Sequence, residues 1–339
     1  MSDNDMLILT AGEIEALLAG REEEVMEVVG RAYRTHGAGR SSLPHSTFLR
    51  FPDNDTNRII ALPAFLGDGF QVAGMKWIAS FPGNLRRGLA RASAVLVLNS
   101  CETGLPEAIL EGSLISAQRT AASAALAARV MLGGAPPAAA GFIGTGLINA
   151  EIARFLRAAL PGIRRALVLD LDPARAAHFA AALREALPAG SEVEIAPDLD
   201  TVLKNCPLVS FATTAIRPHV ADLASCPPGA VILHVSLRDL APEAILACDN
   251  VVDDVDHVSR AQTSIHLAEQ LTGSRDFVRC TLAEILEGTA PPRKDERTVT
   301  VFSPFGLGIL DLAVGQQVLQ RARAEGRGIT IQSFLPQQS

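Results

Sequence analysis

The spacing of apolar positions divides the chain into two parts with different rhythms. Residues 7–9 form a short apolar run, and Thr10-Ala11-Gly12-Glu13 sets a hydroxyl three residues ahead of a carboxylate, the capping box that opens a helix. Two helices are expected from there to about Gly37. Four runs follow at 44–50, 59–64, 72–79 and 94–99, separated by Asp, Asn, Gly and Pro clusters, and they read as consecutive strands with short turns. Strands joined in that way build an antiparallel or mixed sheet.

From Ser113 to Leu132 the pattern changes to a long Ala-rich helix, apolar on nearly every face, that stops at Gly133-Gly134 with Pro136-Pro137 beyond. Afterwards strand-like and helix-like segments alternate. An apolar run at 139–143 precedes a helix over 147–159, a strand over 165–170 and a helix over 174–187. Further strands near 192–195, 208–212, 231–235 and 251–253 alternate with helices, the signature of βαβ units and a parallel sheet. A last strand at 298–302 leads to a helix over Gly308–Glu325, stopped by Gly326, that returns to the first part. The expected fold class is therefore α/β: a Rossmann-type doubly wound parallel sheet domain over 119–308, plus an α+β substrate-binding and dimerisation domain made of 1–118 with 309–339. No internal repeat is visible, and 291–297 reads as a charged surface loop.

Composition narrows the function. The 339 residues suffice for two domains, and 48% hydrophobic content supplies their cores. A net charge of −7 without a long basic run leaves nucleic acid and anionic membranes without an electrostatic footprint. Five widely spaced cysteines without a Cys-x-x-Cys read as reduced structural thiols in a cytoplasmic setting. The acidic start Met1–Asp5 is unlike a secretory signal, and the apolar window 120–132, flanked by Arg119 and Arg129, falls short of the ~20 residues a membrane span needs. The histidines do not cluster at ligand spacing, so no metal is expected.

The chemistry centres on Gly141-Phe142-Ile143-Gly144-Thr145-Gly146-Leu147, where an apolar run meets Gly-x-Gly and passes into a helix. A strand that turns sharply into a helix while its backbone approaches a pyrophosphate needs residues without a Cβ, and the helix directs free N–H groups and its positive end at the phosphates. The third glycine of the usual fingerprint is Asn149 here. Asp170 follows Gly144 by 26 residues, close to the ~20-residue offset at which an acid meets the ribose hydroxyls of NAD. Arg175 nearby keeps a 2′-phosphate, and hence NADP, open.

Three other residues stand out. Lys76, in an apolar run between Met75 and Trp77, either snorkels outward or faces a pocket. Arg119, on the Ala-rich helix, has no acid within one turn, so a buried guanidinium there needs a bound carboxylate or a structural ion pair with a distant acid. Asp239 closes His234-Val235-Ser236-Leu237-Arg238-Asp239 at the carboxyl end of a predicted strand, where it either exchanges protons or caps the helix that begins near Pro242.

Taken in order, Gly74-Met75-Lys76-Trp77, Phe81-Pro82-Gly83-Asn84, Arg119-Thr120-Ala121-Ala122, Ile143-Gly144-Thr145-Gly146 and Val299-Thr300-Val301-Phe302-Ser303 with Gly306 and Asp311 resemble the ornithine cyclodeaminase/μ-crystallin family over nearly the whole chain. Leu43–Pro52 and Lys76–Asn84 look like its 2,3-diaminopropionate branch, whereas ornithine-deaminating members carry an arginine where this chain has Pro44-His45-Ser46. The resemblance implies an NAD-dependent oxidoreductase that cleaves an N-substituted glutamate. It implies Arg119, Lys76 and His45 on the substrate, Lys76 and Asp239 in catalysis, and Gly144, Thr145, Gly146, Leu147, Asp170, Thr213, Ser236 and Gly306 on NAD. It also implies a homodimer, and a PLP-dependent synthase as pathway partner. Ornithine cyclodeamination, imine reduction and a non-catalytic crystallin-like role are the alternatives.

Overall fold

Strand β1 (Met6–Leu9) leads into α1 (Ala11–Leu18), where the carboxylate of Glu13 accepts 2.8 Å hydrogen bonds from both the backbone N–H and the hydroxyl of Thr10. After α2 (Glu22–Gly37) come β2 (Ser41–Ser42), β3 (Thr47–Phe51), β4 (Asn54–Leu66), β5 (Val72–Ser80), β6 (Ala92–Asn99) and β7 (Pro106–Glu111). The strand expected from residue 44 begins only at Thr47, since Pro44 has no N–H to give a ladder. The sequence pattern did not reveal β7, which opens on a proline, a tolerated first position in a strand. The computed structural model describes residues 5–336, so the acidic start at 1–4 and the last three residues of the chain lie outside the described residues.

The chain continues through α3 (Gly112–Met131), β8 (Ala140–Ile143), α4 (Leu147–Ala159), β9 (Arg165–Leu169), α5 (Pro173–Ala186), β10 (Glu192–Ile195), α6 (Leu199–Asn205), β11 (Leu208–Phe211) and β12 (Val231–His234). Then follow α7 (Pro242–Leu246), β13 (Asp249–Val252), α8 (Val255–Val258), α9 (Ser264–Thr272), β14 (Val278–Thr281), α10 (Leu282–Leu286), β15 (Thr300–Ser303), α11 (Gly308–Glu325) and β16 (Ile329–Ile331). Two units result, one from residues up to Arg119 with those from Leu307 onward, the other from Thr120–Gly306; the first boundary falls within α3.

In the first unit the sheet runs β16-β1-β7-β6-β5-β4-β2, with β3 on β4; β1 and β7 are parallel and the other pairs antiparallel. Alternation along β5 gives the sheet two unlike faces. Lys76 pairs in register with Leu62 and Leu96 on the buried face, against which α11 packs. The helix comes so close that a Cβ on Gly315 would stand 2.3 Å from Leu96 Cδ2, and this approach sets Asp311, one turn earlier, over β5. On the opposite face Trp77 lies between Ala61 and Val95, and Leu49, Trp77 and Val95 are exposed.

The second unit is a parallel sheet ordered β10-β9-β8-β11-β12-β15-β13-β14, with helices α4 and α6 packed on β11 and β8. Strand order reverses between β8 and β11, and in such sheets ligands bind beyond the carboxyl ends of the strands at that point. All five cysteines are unpaired, and burial pushes the thiols of Cys206 and Cys248 up to about 12. Among the described residues no helix is long and apolar enough to cross a membrane.

Candidate functional site

In the first unit, Lys76, Arg119 and Asp311 form one buried network. Lys76 Nζ donates to Asp311 Oδ2 at 2.7 Å and to Ser116 Oγ at 3.1 Å, and Arg119 Nε donates to Asp311 Oδ1 at 3.2 Å. Lys76 is 2% and Asp311 0% exposed, so of the two sequence alternatives for Lys76 the structure takes the inward one. Arg119 has the distant acid that sequence reasoning left open, yet that acid engages only Nε, and the further contact, Nη2 to Ser116 Oγ, is a long 3.4 Å. Burial, with Arg119 adding to it and Asp311 opposing it, lowers the Lys76 amine from 10.5 to about 8. Burial acts the other way on Asp311, but Arg119 and Lys76 outweigh it and keep its carboxyl below the usual carboxylate range. Two cations on one carboxylate leave the network one positive charge in excess.

Sequence reasoning missed Asp311 as a partner, although the signal was present: it is a lone acid in the apolar run Gly308–Gly315, the same anomaly that marked Arg119. His45 lies exposed ahead of β3.

In the second unit the glycine turn sits at the strand-order reversal. Gly144 has φ +82°, and a Cβ there would stand 2.6 Å from the Ala212 carbonyl, so this glycine is required by its neighbour in the β11 exit as much as by any ligand. Asn149, at the usual third-glycine position, is buried; its Nδ2 donates to the carbonyls of Ile143 (3.0 Å) and Gly144 (2.6 Å), and Ser210 Oγ donates to its Oδ1 at 2.7 Å. The amide thus fastens the turn where a glycine would let helix and strand close up. Gly146 caps α4 with no side-chain acceptor on the first-turn N–H groups, and the exposed Leu147 starts the helix. Asp170, just past β9, accepts the Thr145 N–H and hydroxyl, each at 2.7 Å, and the Asp172 N–H at 2.9 Å. Burial raises its pKa, but these bonds and nearby Arg175 prevail and keep it ionised. Arg175 also reaches Gly146, with Nη2 3.5 Å from where a Cβ would be. Gly306 (φ +90°) donates its N–H to Asp253 Oδ2 at 2.7 Å.

Asp239 is wholly buried and does not cap α7, whose N-cap Ala241 has no side-chain bond. It is instead the centre of a cluster. The Thr213 and Ser236 hydroxyls donate to Oδ1 and Oδ2, the latter at 2.5 Å, and His219 Nε2 lies 3.2 Å from Oδ1. His234 Nε2 lies 3.2 Å from the Asp239 amide N and 3.4 Å from Oδ2, acting as acceptor to one or donor to the other according to tautomer. Residues 219, 234 and 239 are separate in sequence, and the parallel pairing of β11 and β12 brings their segments together. Thr213 and Ser236, expected on the cofactor, turn their hydroxyls to Asp239. The turn after β12 holds Leu237 at φ +68°, a conformation a leucine rarely adopts, and this bend points Asp239 inward. Burial raises the Asp239 pKa, but bonds from His234, Ser236 and Thr213 overcome it and hold the carboxyl far below the ordinary range.

The family model of the ornithine cyclodeaminase/mu-crystallin family matches residues 4–326. The chain belongs to that family. It is similar to the N-((2S)-2-amino-2-carboxyethyl)-L-glutamate dehydrogenase of Staphylococcus aureus (strain NCTC 8325 / PS 47), with 27% identity over 98% of this chain and 100% of that one. Among solved structures, this family member is similar to the Δ(1)-pyrroline-2-carboxylate reductase of Thermococcus litoralis in complex with NADH and L-proline (TM-score 0.87, 26% identity, 96% of this chain and 99% of that one). It is also similar to an archaeal alanine dehydrogenase dimer with bound NAD (TM-score 0.85, 26% identity, 97% and 99% covered).

Proposed function

We propose that the protein is an NAD-dependent oxidoreductase that converts N-((2S)-2-amino-2-carboxyethyl)-L-glutamate to 2,3-diaminopropionate and 2-oxoglutarate, forming NADH. The observation that carries the reading is the excess positive charge of the Lys76–Asp311–Arg119 network. A buried cation without an equivalent counter-charge is costly, and a substrate carboxylate supplies the missing anion while using the free edge of the Arg119 fork. The full-length similarity to the staphylococcal enzyme and the segment Leu43–Pro52 favour the glutamate adduct over other amino acids.

The second unit fits NAD. Gly146 leaves space for a diphosphate above uncapped N–H groups, Arg175 adds a positive charge beside it, and ionised Asp170 suits ribose hydroxyls and repels a 2′-phosphate. When bound there, NAD would supply the hydride acceptor for oxidation at the glutamate Cα. Lys76 and Arg119 hold the adjoining carboxylate, and the Asp239 cluster serves the water that opens the resulting imine. Such an adduct arises by joining glutamate nitrogen to the β-carbon of a three-carbon amino acid, a replacement reaction of the PLP-dependent class. The apolar sheet face with Leu49, Trp77 and Val95 supports a homodimer.

Incubation of the pure protein with NAD and a panel of the adduct, ornithine, alanine and N-alkyl amino acids tests the reading. NADH and 2-oxoglutarate from the adduct in equal amounts are expected. Cyclisation of ornithine with release of ammonia and no net NADH, or oxidation of another amino acid in preference, would replace this substrate with that one.

A further inference from the structure

Asp239 was expected to carry a proton, yet it is completely buried and saturated by the Thr213 and Ser236 hydroxyls and two imidazoles. A carboxylate held so far below its ordinary range takes up a proton poorly, and it has no open face to receive one. Proton exchange therefore has to pass through a group that touches it. His234 is itself fully buried, and the two hydroxyls are neither acids nor bases at neutral pH. Of the four, His219 is the most exposed, with a side chain 45% exposed, and it is the one that both titrates and reaches solvent, since Thr213 and Ser236 are half-buried hydroxyls.

The position of His219 is set twice. Its backbone N–H and that of Val220 both donate to the Asp239 carbonyl at 2.9 Å, and Val220 forms a β-bridge with Leu240, so two chain segments are joined beside the carboxylate. Its ring Nε2 then contacts Asp239 Oδ1 at 3.2 Å, while Nδ1 has no hydrogen-bond partner among the described residues. The other charged groups are Arg238, whose guanidinium is engaged with the Ala261 carbonyl, and the exposed Arg217 and Asp222 on the segment of His219 itself.

We infer that His219 is the proton carrier of carbon–nitrogen cleavage, exchanging through Nδ1, with Asp239 as its buried counter-ion. The inference rests on the substrate reading above. As the water oxygen bonds the carbon of the protonated imine that hydride loss leaves, one water proton passes to Nδ1. The imidazolium so formed is stabilised by Asp239 and returns the proton to the substrate nitrogen. The carbon–nitrogen bond then breaks with its electron pair remaining on nitrogen, and the hydroxyl proton leaves through the imidazole as the carbonyl of 2-oxoglutarate forms. No oxidant or reductant beyond the preceding hydride transfer is involved.

The test uses the full-length enzyme with NAD and the adduct. His219→Ala is expected to lower kcat by ~10²–10⁴ with KM for both ligands nearly unchanged, and added imidazole is expected to restore part of the loss. The first-turnover burst of NADH should persist while 2-oxoglutarate release slows. His219→Gln, whose amide can still donate to Asp239, should lose the same turnover with unaltered melting and no response to imidazole. Full turnover by either variant, or a loss in His219→Ala that imidazole does not relieve, overturns the inference and leaves His219 a structural tie. Wild-type protein that forms no NADH from the adduct overturns the substrate reading and this inference together, whereas wild-type turnover with unaffected variants overturns the inference alone.

Discussion

Replacing Asp311 with Asn removes the one anion that Lys76 and Arg119 share, while keeping the shape of the side chain. At 2.7 and 3.2 Å, and with an effective dielectric near 20, the two attractions are worth roughly 6 and 5 kcal/mol before desolvation is counted. Breaking a buried pair from one side costs ~3–5 kcal/mol net, because the remaining charge is left unpaired; that is the loss expected for Asp311→Asn at pH 7. The pH dependence carries a sign. Lys76 titrates at about 8 when folded against 10.5 ordinarily, so between these values the unfolded chain holds the proton that the folded one has lost, and stability rises with pH. Without Asp311 the folded value drops further and that rise begins at lower pH. The gap between wild type and mutant should therefore narrow from pH 7 to 9. Urea unfolding followed by fluorescence measures this locally, since Trp77 is the sole tryptophan and adjoins Lys76 on β5. A gap below ~1 kcal/mol, or one that stays constant across this pH range, would refute the coupling.

Arg119→Lys keeps the charge and loses the fork, so KM for the substrate should rise strongly with NAD affinity unchanged in calorimetric titration; global unfolding without a ligand-specific defect would place Arg119 in structure alone. NAD should bind more tightly than NADP, and Asp170→Ala should weaken NAD by ~1–3 kcal/mol, whereas equal NADP binding would mean that Arg175 governs the choice. The kcat/KM profile should fall as pH rises through about 8, where Lys76 loses its charge and its hold on the carboxylate, and Lys76→Arg should abolish that limb. Trp77→Asp should yield monomers in sedimentation if the exposed face of β5 joins two copies, and an unchanged dimer would move the interface elsewhere.

Much of this protein was legible in its residues because the signals were local. Period-two runs and turn clusters marked β4, β5 and β6; the caps and stops at Gly146 and Gly326 marked α4 and α11; the alternation after residue 139 marked a parallel sheet. The turn at Gly144 and Gly146 and the acid at Asp170 were legible as parts of one βαβ unit because backbone sterics and a short offset define that motif locally. What the sequence could not decide was partnership across long separations. Asp311 meets Lys76 across 235 positions and Arg119 across 192, and only the close packing of α11 on the β4–β6 sheet face brings them together. His219 and His234 converge on Asp239 because β11 and β12 are neighbours and Leu237 adopts a left-handed turn, and neither the strand order nor that strain is written in any local pattern. Residue types and spacing specify which elements form, whereas burial and register decide which charges must answer one another.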